Sequence, residues 1–184
     1  MPLDPKECIL YSGGARGAEE LFGRMAERQG LEEVNYTFEG HQMERQRGQR
    51  FLTQEELNLK DVSMTYVSKL MNRNYSRAPL FRKVLQSICW MVSSGNEIFV
   101  VGSVQEDKTV KGGTGWAAEF AKLCNKPLFC FDQQRDSWFH WIKDTWEMVE
   151  KPVISHHHFT GTGTRFLEDN GRKAIEELFT RSFT

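Results

Sequence analysis

Short apolar runs alternate with longer amphipathic stretches along the 184-residue chain. Runs at 8–12 (CILYS), 34–38 (VNYTF), 97–102 (EIFVVG), 127–131 (PLFCF) and 153–158 (VISHHH) predict strands, being short and rich in β-branched or aromatic residues. Between them, apolar positions recur at helical spacing over 15–29, 54–71, 80–92, 116–124, 137–149 and 167–183. Boundary signals sharpen some of these helices. Thr53 followed by Glu56 forms a capping box, Gly30 stops one helix, and Asn125 stops another before KPLF. Strands alternating with helices predict a three-layer α/β fold, because parallel neighbours need crossover connections that cover both faces of the sheet. A mostly parallel sheet of about five or more strands is expected.

Composition bounds this picture. With 39% hydrophobic residues, residues 1–184 can form one domain with a substantial core. Two segments interrupt the regular alternation: a polar, charged helical excursion at 41–77, readable as a solvated surface or as a lid or rim, and an insertion at 103–111. Lys plus Arg (24) and Asp plus Glu (25) nearly cancel, so any anion site must be local and a nucleic-acid partner is not favoured. No apolar run approaches the roughly 20 residues that span a bilayer, and MPLDPKECILYS lacks an export signal. The chain therefore reads as soluble, cytoplasmic and without a membrane partner. Cys8, Cys89, Cys124 and Cys130 are widely spaced, as for buried free thiols. His156, His157 and His158 would point alternately to opposite faces of a strand, and no neighbouring ligands complete a metal set. Trp138, Trp141 and Trp146 fit the core face of the helix expected at 137–149. Nothing calls for a cofactor or a metal.

Three strand-to-helix junctions carry the candidate chemistry: SGGARGAEELF (12–22), KGGTGWAAEF (111–120) and FTGTGTRFLED (159–169). In an open parallel sheet, ligands bind beyond the carboxyl ends of the strands, where such junctions lie. Glycine lets the backbone approach a ligand, and unpaired amides at a helix start attract an anion. The candidate cradle comprises Ser12, Gly13, Gly14, Ala15, Arg16 and Gly17, then Gly112, Gly113, Thr114 and Gly115, then Gly161, Gly163, Thr164 and Arg165. A phosphate or phosphosugar is the natural guest. Glycine also serves simply as steric relief where a helix leaves a strand, and none of the junctions has the full Walker or dinucleotide fingerprint.

SGGARGAE resembles the glycine motif of the SLOG superfamily, the Rossmann-like group that includes Lonely-guy phosphoribohydrolases and DNA-processing protein A. GGTGWAAE resembles its second signature, P-G-G-x-G-T-x-x-E, with Gly112, Gly113, Gly115 and Glu119 matching, Lys111 in place of proline and Trp116 in place of threonine. Arg82 and Lys83 stand on the helix that carries an Arg-Lys pair in those enzymes. The unit FTGTGTRFLEDNGRKAIEELF resembles the superfamily's opening strand and turn but comes last, which implies a circularly permuted Rossmann-like domain. The resemblance further implies a homo-oligomer, a dimer or larger.

Under this resemblance Glu119 would assist cleavage of the N-glycosidic bond of a nucleoside 5'-monophosphate, with Arg82 as charge partner of the phosphate. Helical side chains lean toward the N-terminus, so Glu119 would face back toward its turn; a first-turn carboxylate also suits the helix dipole without any chemistry. Glu19 shares that ambiguity. Trp116 could stack on a base or fill the core, and Asp132 could contact ribose or close a turn. Three functions are open: a phosphoribohydrolase-like enzyme, a non-catalytic nucleotide sensor or sequestering protein, and a single-stranded DNA binder.

Overall fold

The computed structural model describes residues 2–184. After a 3-10 turn at Pro5–Glu7, the elements run β1 (Ile9–Ser12), α1 (Ala18–Gln29), β2 (Glu32–Thr37), β3 (Gln49–Phe51), α2 (Gln54–Asn58), α3 (Asp61–Met71) and α4 (Pro79–Ser94). Then follow β4 (Ile98–Gly102), α5 (Thr114–Leu123), β5 (Leu128–Asp132), β6 (Ser137–Ile142), β7 (Thr145–Val149), β8 (His158–Gly163) and α6 (Asp169–Phe183). The strands form one eight-stranded sheet in the order β3-β2-β1-β8-β4-β5-β6-β7. It is mixed: six strands from β3 to β5 are parallel, and β5, β6 and β7 are antiparallel at one edge.

Alternation along the central strand β4 divides two cores. Ile98 and Val100 pack with Leu128, Cys130 and the inner faces of α2, α3, α4 and α5. Phe99 and Val101 pack with Phe131, Phe159 and the inner faces of α1 and α6. Helices therefore cover both sides, as period-2 burial in a parallel sheet demands. The expected end signals hold: Thr53 and Glu56 form both bonds of the capping box, Gly30 closes α1 in a left-handed conformation, and Asn125 takes positive φ after α5.

Several expectations need correction. Residues 137–149 form the β6–β7 hairpin rather than a helix, turning at Lys143 and Asp144, both at positive φ as a tight hairpin requires. Of its tryptophans, Trp138 is buried, while Trp141 and Trp146 are half-buried. The strand expected at 153–158 begins instead at His158 and runs through the glycines, so Gly161 and Gly163 belong to β8 and not to a turn. The helix expected at 54–71 is two, α2 and α3, and the excursion contains a short extra strand, β3. Cys8, Cys89 and Cys130 are buried free thiols, but Cys124 is exposed.

Candidate functional site

The first glycine junction and the end of β8 meet. Gly17 holds φ at +94°, and a Cβ there would collide with the Thr164 carbonyl oxygen, to which the Ala18 amide donates at 3.0 Å. Gly161 and Gly163 are flat places for α1: a Cβ on the first would strike the Phe22 ring, and one on the second the Val101 carbonyl and Ala18. Here steric relief is what glycine supplies. The Ser12 hydroxyl donates to the Gly161 carbonyl at 2.6 Å, so it fastens β1 to β8.

The turn of residues 13–17 already holds an anion-like group. Glu19 is buried, and its carboxylate accepts from the Ala15 amide at 3.2 Å and from the Thr162 hydroxyl at 2.5 Å. Gly13 lies directly against that carboxylate, which leaves no room for a side chain. Burial pushes the Glu19 pKa up, against the opposing pull of those two hydrogen bonds and the Arg165 charge. Over the turn lies the start of the polar excursion: the amides of Glu44 and Arg45 both donate to the Gly14 carbonyl at 3.0 Å. Arg45 pins this rim by pairing with buried Glu33 at 2.5 Å and with Glu27 at 2.7 Å.

Outside that turn, Arg16, Gly17, Glu20, Arg24, Glu44, Arg165, Phe166, Leu167 and Arg172 line an open cleft of about 420 Å³ between the starts of α1 and α6. Arg24 is paired with Glu20 at 2.6 Å. Arg16, Arg165 and Arg172 enter none of the ion pairs among the described residues. Beside them Phe166 is 85% exposed. The Arg165 charge also reaches His41, whose pKa is lowered first by burial and then by that charge. Sequence reasoning named Arg16 and Arg165 but missed Phe166 and Arg172; the signal was the RF and NGR of TRFLEDNGR at the start of α6.

The second junction is built differently. Gly112 and Gly113 face open space, while Gly115 lies against the Val110 carbonyl and Arg73. Arg73 donates to the carbonyls of Gly112 (3.0 Å) and Val110 (2.8 Å) and to the side chains of Gln105 (2.9 Å) and Thr109 (3.1 Å). It ties the insertion 103–111 to the turn that starts α5, and no sequence pattern singled it out. Thr114 is buried, and Trp116 is a core residue at 3% exposure, packed against Tyr75. Glu119 pairs with Lys122 at 3.2 Å, and the Lys122 ammonium in turn lies 3.8 Å from the Trp141 ring and donates to the Lys108 carbonyl. Burial lowers the Lys122 pKa, opposed by Glu119.

Arg82 sits in another network. It pairs with Asp61 at 2.9 Å and stacks on Tyr75, and Asp61 also accepts from Tyr75 and Gln86. Lys83, next to it on α4, is half-buried. Asp132 is buried and fully engaged, accepting from the amides of Val104, Gln134 and Arg135, which makes it the brace between the β4 exit and the β5–β6 turn. His156 lies beside Glu97, His157 beside Glu7 and His158 beside Tyr11. No group of three or more metal-ligating side chains occurs among the described residues. No described helix is long and apolar enough to cross a membrane.

No family model, curated protein or solved structure matches this chain.

Proposed function

We propose that the chain binds a nucleotide or nucleotide-derived phosphosugar in the cleft between the starts of α1 and α6, holding it rather than cleaving it. The observation that carries this reading is the convergence of Arg16, Arg165 and Arg172, free of ion pairs, on one cleft of about 420 Å³. Guanidinium groups match phosphate oxygens in charge and fork geometry. Phe166 offers a face for a base. The SLOG-like, Rossmann-like reading draws support from strand order: counted from β8 as the first strand and leaving out the short edge strand β3 of the excursion, the run β2-β1-β8-β4-β5 reads 3-2-1-4-5, the doubly wound order. A permuted chain would give that numbering.

Hydrolysis has weaker support, because Glu119 is committed to Lys122 and Arg82 to Asp61, with no hydrogen bond or ion pair joining the two pairs among the described residues. Titration calorimetry with a panel of nucleoside monophosphates and with ribose 5-phosphate tests binding, and analysis of the same mixtures for free base tests cleavage. Wild type is expected to bind without releasing base, and Arg165→Ala to weaken binding about ten- to a hundredfold, the worth of one charge-assisted bond. Absence of binding, or binding indifferent to Arg165→Ala, sinks the assignment to this cleft. Base release abolished by Glu119→Gln would restore the enzyme.

A further inference from the structure

The polar excursion ends in NRNYSR (72–77), a segment with no place in the arginine cleft. Asn72 closes α3 in a left-handed conformation, and residues 72–77 then wall an open pocket of about 540 Å³ together with the last turn of that helix. Lys69, Arg73 and Arg77 bring three cations to its lining, which contains no carboxylate. Lys69 and Arg77 enter none of the ion pairs among the described residues. Arg73 is half-buried, and its four hydrogen bonds all go to neutral oxygens, of Gly112, Val110, Gln105 and Thr109. Its charge therefore has no bonded counter-ion, and its Nε–H takes no part in those four bonds. Three like charges on one concave wall repel one another, and an anion between them would reverse that cost.

We propose that this pocket binds a small, multiply charged oxyanion bearing carboxylates or phosphates, and that its occupancy tightens the fastening of the insertion 103–111. In the bound state Lys69 and Arg77 donate charge-assisted hydrogen bonds from the exposed rim, and the Arg73 Nε–H donates from the wall. The exposed side-chain amides of Asn72 and Asn74 supply further donors. Tyr75, the one aromatic in the lining, is committed to Asp61, Arg82 and Trp116, so the pocket recognises charge rather than a base. Its volume is of the size that holds a small molecule, about 300–1,000 Å³. Coupling follows from Arg73: a counter-ion on its Nε side holds the guanidinium in the pose that bonds Gly112, Val110, Gln105 and Thr109. The pocket shares no lining residue with the arginine cleft, so the two assignments stand or fall independently.

Titration calorimetry with citrate and with pyrophosphate tests the site, on an Arg16→Ala, Arg165→Ala chain that lacks two of the cleft's phosphate contacts. Saturable binding of at least one of the two anions is expected, and the tighter names the ligand class. Adding Lys69→Ala with Arg77→Ala should weaken it at least about tenfold, with the circular dichroism spectrum unchanged because both side chains are exposed. Saturation with the anion should slow amide exchange at residues 103–112 about threefold or more. Arg73→Lys keeps the charge but cannot bridge the four acceptors, so it should still bind the anion and lose that protection. Failure of both anions to bind, or binding indifferent to the paired alanines, overturns the site. Binding that leaves exchange at 103–112 unchanged, or protection that persists in Arg73→Lys, overturns the coupling.

Discussion

Glu19 decides what the first glycine turn can hold. Its carboxylate occupies the position at which a bound anion would meet the Ala15 amide, so the proposed phosphate contacts fall to the arginines of the cleft instead. The sequence presents Glu19 and Glu119 as equivalents, each a carboxylate near the start of a helix after a glycine turn. Tertiary packing separates them, and neither propensity nor spacing encodes it: Glu19 is sealed under Thr162, whereas Glu119 turns to Lys122. Because burial raises the Glu19 pKa above its usual 4.5, the protonated form is favoured in the folded state. The stability this contributes is complete below the unfolded value and is lost as pH rises through the folded one. Urea unfolding at a series of pH values should therefore show Glu19→Gln gaining on wild type as pH rises above about 4.5, the usual value; parallel curves would mean that the carboxyl is not shifted. Gly17→Ala should cost about 1–3 kcal/mol, because it adds a Cβ at φ +94° against the Thr164 carbonyl. That loss is read in the same unfolding experiment.

Elements were legible where a local rule governs them and illegible where a turn or a packing contact does. The capping box of α2, the glycine stop of α1 and the amphipathic faces of α1, α4 and α6 follow from short-range chemistry. The β6–β7 hairpin was masked because its aromatics also suit a helical face, and because Lys143–Asp144 supplies the positive φ values without the usual glycine. The glycines and threonines of β8 read as a turn, yet they are a strand whose missing side chains admit Phe22 and Ala18 of α1. The insertion 103–111 could be located by sequence but not its fastening, since Arg73 lies about thirty residues upstream in the loop after α3. Arg73→Ala removes four donated hydrogen bonds at once from this partly exposed site. The expected result is a loss of about 1–3 kcal/mol in stability and faster amide exchange confined to residues 103–112, measured by hydrogen–deuterium exchange. Exchange unchanged in that segment would show that its other fastenings, the Trp146 and Lys122 bonds to the Lys108 carbonyl and the Val104 amide bond to Asp132 among them, suffice to hold it.

At the scale of the whole molecule, the balance of charge and its placement pull apart. The chain carries a formal charge of −1, so no long-range field gathers polyanions, yet four arginines and two glutamates meet in one cleft. The proposed site would grip one or two phosphates at short range and gain little from a longer backbone. Its binding should therefore decline only modestly with salt, whereas an oligonucleotide held by many phosphates would lose affinity steeply. Competition tests the difference: at about 0.15 M ionic strength, where the Debye length is about 8 Å, short single-stranded DNA should fail to displace a bound nucleoside monophosphate. Displacement at that salt, with a steep logarithmic dependence on its concentration, would transfer the site from a nucleotide to a nucleic acid, because only an array of phosphates along the carboxyl edge of the sheet could overcome the near-neutral charge.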